Sequence, residues 1–395
     1  MNIAHPNVDF DNTASAFSHQ TDAELRKAYW LFSVMNSAAL VKIGSALTQF
    51  ALRVRLPVKP IIRNTVFEHF CGGETIEACQ RTIKKLGKSG VGTILDYSVE
   101  GEDSASSFDH TLAQLLRTVE TAALNPKDIP FAVFKVTGLV RSVLLGKIQN
   151  NTPLSEAEKS EYAQARNRIL TLCGKAHDLR VRIFFDAEES WIQNTIDDLS
   201  YEMMRLFNRE EAIIYNTYQF YRADMSGNYA AAIKRAEDEG YKIGAKLVRG
   251  AYMEKEAARA DELGYKSPIH NTKAAVDDDY NEAVRFSLTK LDSLSICLGT
   301  HNELSCRRCM NAMQQQHLEK SDKRIFFAQL LGMSDNISFN MASAGYNVAK
   351  YVPFGPIEAV MPYLFRRANE NTAIAGQSSR EFLLIKKELQ RRKRR

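Results

Sequence analysis

The sequence is poor in the features that mark export, metal binding or membrane spanning. Six cysteines in 395 residues, at positions 71, 79, 173, 297, 306 and 309, lack the density and regular spacing of a secreted disulfide scaffold, so a reducing compartment is expected. Cys306 and Cys309 form a C-x-x-C, but no second pair stands at zinc-finger distance and the stretch reads as helix, which argues against a metal site. The first twenty residues carry Asp9 and Asp11 and no basic region followed by an apolar run, so neither a secretory signal nor an Arg-rich transit peptide is expected. The most apolar stretch, residues 28–52, is broken by Asn36, Lys42, Thr48 and Gln49 and reads as a packed or interfacial helix rather than a span. No internal repeat or low-complexity linker is present. No G-x-G-x-x-G follows the first strand, and Gly90-Val91-Gly92 is only a turn before it.

What is present is ordinary for a globular enzyme: 45% hydrophobic and 25% charged residues. The net charge of +5 is unevenly placed, because residues 386–395 hold seven Lys or Arg and one Glu. This tail reads either as a solvated helix end or as a contact for anionic lipid headgroups. No basic stripe with interleaved aromatics points to nucleic acid.

From residue 90 onward, short β-branched and aromatic runs alternate with helix-sized intervals, the mark of a parallel sheet. Eight candidate strands fall at 93–98, 131–136, 181–185, 212–217, 245–249, 295–299, 324–328 and 347–352. Eight units over some 280 residues fit an α/β fold closed as a (β/α)₈ barrel of TIM type. The expected organisation is a helical arm over 1–90, a catalytic barrel over 91–385 and a basic tail over 386–395.

Barrel enzymes carry their chemistry at the C-terminal ends of strands. Those ends offer Lys135, Asp186, Asn216, Lys246 with Arg249, Thr300-His301-Asn302, Gln329 and Tyr351. Singly, each has a plainer reading. Lys135 could snorkel from a strand end, Asp186 could cap a helix with Glu189 at N3, and His301 could be a loop or core histidine. The set is harder to explain by folding alone. After the eighth strand, Tyr363, Arg366, Arg367 and Glu370 stand at i, i+3, i+4 and i+7 and share one helix face. Two arginines beside a carboxylate suit bidentate capture of an anionic ligand.

At this helix the sequence resembles the proline dehydrogenase family, whose Y-L-x-R-R-x-x-E-N appears from Tyr363 to Asn371. The resemblance extends to F-K at Phe134-Lys135, D-A-E-E from Asp186, N-T-Y-Q from Asn216, K-L-V-R-G-A-Y from Lys246 to Tyr252, T-H-N from Thr300, Q-L-L-G-M from Gln329 and Y-V-P-F-G-P from Tyr351. Several segments look closer to the mitochondrial form than to the barrel of the bifunctional bacterial enzyme. That enzyme's pattern has Arg where Lys246 stands, Lys where Arg249 stands and Trp where Met253 stands. A monofunctional enzyme is therefore expected.

The resemblance implies noncovalent FAD at the barrel mouth and hydride transfer from C5 of L-proline to flavin N5. The product is Δ¹-pyrroline-5-carboxylate, and the electrons pass to a membrane quinone. It places Lys135, Arg366 and Arg367 on the substrate carboxylate, with Glu370 orienting an arginine and Asp186 offsetting Lys135. Tyr351 and Tyr363 border the substrate ring. Lys246 lies near the flavin N5 edge, and Asn216, Arg249, Gly250, Tyr252, Thr300, His301 and Gln329 hold the cofactor. The last barrel helix is expected to face the mouth. The protein is expected in the cytoplasm, with a peripheral place on the inner face of the cytoplasmic membrane left open, or on the matrix side in a eukaryote. No nucleic acid or obligate protein partner is implied.

Three rivals remain open at this point. A hydroxyproline dehydrogenase is similar, but its relatives resemble this pattern with a small residue where Tyr351 stands. A lyase forming a Schiff base on Lys135 is the second. A flavin-binding scaffold without turnover is the third.

Overall fold

A computed structural model describes residues 8–54, 57–98, 104–373 and 377–394, with the side chains of 38–39, 49–53 and 369–379 outside those described. Eight strands run Val91–Tyr97 (β1), Phe131–Phe134 (β2), Arg182–Phe185 (β3), Ile214–Gln219 (β4), Ile243–Val248 (β5), Leu294–Gly299 (β6), Ile325–Leu330 (β7) and Val348–Phe354 (β8). Each overlaps one of the eight segments expected from the sequence. They lie in chain order in a closed barrel, and the paired strands are parallel. The strands are buried along nearly their whole length, as a parallel sheet covered on its outer face by helices requires.

The chain divides into two compact units, residues 101–328 with 1–5, and residues 6–100 with 329–395. In the first, helix starts are written in the sequence. Ser155 and Glu158 form a capping box for Glu156–Asp178, and Gly240 ends Met225–Glu239 at φ 70°. The helix Ser190–Phe207 starts differently. Glu189 holds its N-cap position without a side-chain cap, and the buried carboxylate of Glu256 accepts from both N and Oγ of Ser190 at 2.6 Å. The capping role open to Asp186 in the sequence is thus filled from another helix.

Inside this unit, alternate strand residues meet in a layer of rings. Phe131 stacks on Phe184 with centroids 4.4 Å apart, and the edges of Tyr215 and Phe326 close on them. The Arg182 guanidinium lies over Phe131 and Phe326. Such a layer fills a barrel as core, not as a pore, and it makes a dry floor beneath the residues that follow on each strand.

The second unit is organised around an apolar cluster that joins helix Asp22–Met35 (Leu25, Phe32), Phe70, helix Ile357–Ala373 (Val360, Leu364) and helix Gln377–Lys393 (Leu384, Ile385). Beside it lies a buried charged group. The fully buried Lys350 of β8 pairs with Asp335 at 2.8 Å and donates to the Met333 carbonyl at 2.6 Å. Asp335 also accepts from Gln20 at 3.0 Å and faces His19 at 3.4 Å. Glu381 accepts from the Ser334 amide at 2.8 Å. Burial, with Asp335 nearby, pushes Glu381 up to about 7, whereas Lys350 and His19 hold Asp335 well below the usual carboxylate range despite its burial.

The basic C-terminal residues continue the helix Gln377–Lys393 and in part are held against the protein. Arg392 donates to Asp22, Gln20 O and Phe17 O, Arg391 to Glu388, and Lys387 to Asp11 O.

Candidate functional site

Strand register decides which side chains enter the barrel, because paired residues on neighbouring strands share a face and a shift of one residue reverses it. Phe184 pairs with Val133 and Tyr215, Thr217 with Lys246, and Lys246 with Cys297. The ring layer is therefore followed, one step along the strands, by an interior layer holding Thr217 and Lys246. Lys246 Nζ sits 5.2 Å above the Phe184 ring and bonds Asp186, which immediately follows β3. The side chains of Lys246 and Asp186 are only 9% and 12% exposed, so the pair works in a low dielectric. Lys135 immediately follows β2 and is half-buried.

Three residues beyond Lys246, Arg249 is fixed at several points. Its Nε donates to Asp277 at 2.6 Å, Nη1 to Thr300 at 2.9 Å and Nη2 to Ser305 at 2.9 Å, and its guanidinium lies 4.3 Å from the Tyr280 ring centroid. Thr300 also accepts from the Asn302 amide, and Asn302 caps helix Glu303–Gln315. His301 stands half-buried in this turn. Gly250 has φ 135°, and a Cβ there would lie 2.5 Å from the Tyr221 ring. The strand end requires glycine on both counts. Tyr252 is buried where the next helix starts, with Lys255 over its ring at 5.5 Å.

Two residues missed in the sequence belong to this region. Gln219 follows Thr217 by two on β4, donates to Glu188 O at 2.8 Å and accepts from Ala251 N at 3.4 Å, tying three strand ends together. Glu188 is buried and bonds both N and Oγ of Thr137. Burial raises it to about 7, although the Thr137 bonds and Lys135 favour its charge. Both residues stand inside motifs quoted above, N-T-Y-Q and D-A-E-E, and counting by twos from Thr217 finds Gln219.

Asn216 pairs with Phe185 and Ala245 and so points to the other side of the sheet from Lys246. Its Nδ2 donates to Asp197 of helix Ser190–Phe207 at 2.7 Å. Burial raises Asp197 to about 6 against the Asn216 and Gln193 bonds. In the second unit, Gln329 likewise turns to a helix and accepts from Ser338 at 2.8 Å. On β8, Lys350 points to the helix layer, so Tyr351, next along the strand, points to the opposite face. Tyr363 and Arg367 are buried on Ile357–Ala373, with the guanidinium 5.3 Å from the Tyr363 ring, and Arg366 is half-buried. The side chain of Glu370 lies outside the described residues.

With this geometry in place, the comparison with known proteins is specific. Residues 79–380 match the family model described as proline dehydrogenase. The chain is similar to "Proline dehydrogenase 1, mitochondrial" of Arabidopsis thaliana, 31% identical over 98% of this chain and 87% of that protein. It belongs to the proline dehydrogenase family. The human protein of the same name is 41% identical over 61% of this chain and 40% of its own length. A crystal structure of proline utilization A from Bdellovibrio bacteriovorus superposes with a TM-score of 0.72 at 18% identity, over 91% of this chain and 38% of that one, and supports the barrel fold. The chain is thus closer in sequence to the mitochondrial type. Family membership makes it an oxidoreductase of proline catabolism, acting on proline.

For a proline dehydrogenase, residues 101–328 offer Lys246 on the barrel interior and Arg249 just past the end of β5, each fixed by a carboxylate, Asp186 and Asp277, together with the hydroxyl and amide groups of Thr217, Gln219 and Thr300. This donor set can stabilise a developing negative charge and position an anionic group. Among the described residues no cluster of three or more His, Cys, Asp or Glu stands ready for a metal ion.

Proposed function

We propose that the chain oxidises L-proline to Δ¹-pyrroline-5-carboxylate with noncovalently bound FAD and delivers the electrons to a quinone in the membrane, which it meets peripherally. The observation that carries this reading is the buried Lys246–Asp186 pair on the barrel interior, with Arg249 at the end of the same strand. The donor set fits a flavin: Lys246 suits a ring that gains negative charge on reduction, and Arg249 with Thr300 suits the phosphate-bearing part. When bound, the flavin supplies the hydride acceptor for proline C5.

The chain's own residues do the rest. Asp186 holds the Lys246 side chain in place, so its field is preorganised. The floor of Phe131, Phe184, Tyr215 and Phe326 excludes water from one side. Gly250, Tyr252 and His301 border the cofactor. Asn216 and Gln329 act through their bonds to Asp197 and Ser338. Arg366, Arg367 and Lys135 recognise the substrate carboxylate, and Tyr351 and Tyr363 border the ring. A full tyrosine at 351 crowds an added ring hydroxyl and favours proline over hydroxyproline. Comparison of kcat/KM on the two amino acids should favour proline.

The location is the cytoplasmic face of the membrane, or the matrix face in a eukaryotic cell, as the mitochondrial names of the relatives suggest. Among the described residues no single helix is long and apolar enough to cross a membrane. Arg367→Lys tests the substrate assignment. Loss of the planar fork should raise KM for proline by about tenfold or more with the flavin still bound, and unchanged kinetics would contradict it.

A further inference from the structure

In the helix Ala38–Arg53, the described side chains of residues 40–48 put most of their large apolar groups outward, the wrong side for a core helix. Val41 is buried in the cluster that includes Ile357, Val360 and Leu364. Ser45 and Thr48, at i+4 and i+7 from it, are half-buried. The outward stripe is Leu40, Ile43 and Leu47, at i, i+3 and i+7, and these are 51%, 56% and 63% exposed. Between residues 40 and 48, Lys42 is the one charged residue. Along residues 40–48, Leu40, Ile43 and Leu47 thus face away from the protein, while Val41, Ser45 and Thr48 face it. Scattered exposed leucines need no explanation, but a continuous stripe does.

Charge narrows what covers the stripe. Residues 25–67 contain seven Lys or Arg and no Asp or Glu. Among the described residues, Lys27 is paired by Glu68, Lys59 by Glu358 and Arg63 by Glu74, all from outside the segment, at exposed positions where such pairs are weak. A second copy of this chain would bring the same basic segment against itself. An apolar stripe set in a basic, acid-free segment instead matches a bilayer with anionic headgroups.

We propose that the outer face of Ala38–Arg53 is the membrane-docking surface, with Leu40, Ile43 and Leu47 entering the headgroup boundary of an anionic bilayer. This rests on the reading above, in which electrons leave to a membrane quinone, and it gives that contact a place. The C-terminal basic residues serve differently, since Lys387, Arg391 and Arg392 are engaged within the protein.

The test is flotation of the full chain with vesicles of phosphatidylcholine containing about one third phosphatidylglycerol, compared with phosphatidylcholine alone. The wild type should float with the anionic vesicles. Ile43→Glu/Leu47→Glu should lower the bound fraction at least about tenfold, because two lipid-facing side chains are replaced by charges of the repelling sign. Ile43→Ser/Leu47→Ser, milder for folding, should lower it in the same direction, and Lys393→Ala/Arg394→Ala should leave it nearly unchanged. Melting temperatures read folding, and proline-dependent reduction of a soluble dye reads the activity separately, so loss of vesicle binding and failure of the enzymatic reading are distinguishable. The proposal is overturned if wild type ignores anionic vesicles or if both stripe variants float as wild type does. It is equally overturned if the tail variant alone abolishes binding, or if the stripe variants only turn a dimer into a monomer.

Discussion

Replacing Asp186 by Asn should destabilise the barrel by leaving the Lys246 ammonium buried without its carboxylate. At an effective dielectric of about 20 and a separation of about 3 Å, the gross attraction is roughly 5 kcal/mol. Most of it is offset by the cost of taking both charges from water. Removing one partner forfeits the attraction but keeps the desolvation of the other. With both side chains nearly buried, the expected loss is about 3 kcal/mol, moderated by the Phe184 ring that still faces the ammonium. Replacing both, as Asp186→Leu/Lys246→Met, should cost less than the single change because no charge is left stranded. Equilibrium urea unfolding of wild type, both single variants and the pair completes the cycle. A loss below about 1 kcal/mol for Asp186→Asn would mean that water screens the pair as at a surface and would refute the low-dielectric reading. A double variant no better than the single would show that lost packing, not charge, is the cause.

Further outcomes follow from individual residues. Glu188 is raised to about 7 in the fold, so the folded state holds a proton that the unfolded chain loses near pH 4.5. That contribution is complete below pH 4.5 and lost as pH rises through 7. Glu188→Gln should therefore remove part of the fall in melting temperature between pH 5 and 8, and an unchanged pH profile would count against it. Gly250→Ala, at φ 135° and against the Tyr221 ring, should lose about 2 kcal/mol or more in thermal or urea unfolding. A fully stable variant would contradict the strain. Tyr351→Ser should raise kcat/KM on hydroxyproline relative to proline, and an unmoved ratio would remove Tyr351 as the discriminator.

The barrel was legible because each strand is a short run with a helix-sized interval after it, and that pattern survives in a single sequence. Faces were less legible. Asn216 and Gln329 stand on the strands expected, yet register turns both toward helices, since a step of one residue reverses direction. Gln219 and Glu188 lie inside recognised motifs but were passed over, because a motif names residues without showing which of them share a face. Asp186 had two readings in the sequence. Only the fold shows Glu256, far along the chain, taking the helix start and leaving Asp186 to Lys246. The C-terminal basic run likewise revealed its charge but not its partners, because Asp11, which accepts from Lys387 through its carbonyl, and Asp22, which accepts from Arg392, stand more than 360 residues away.

The visible spectrum of the purified protein, taken before and after excess L-proline under anaerobic conditions, reads cofactor and reaction together. The expected result is flavin absorption that bleaches with proline and more slowly with hydroxyproline. A colourless protein that FAD cannot reconstitute, or a flavin spectrum that proline leaves unchanged, would contradict it.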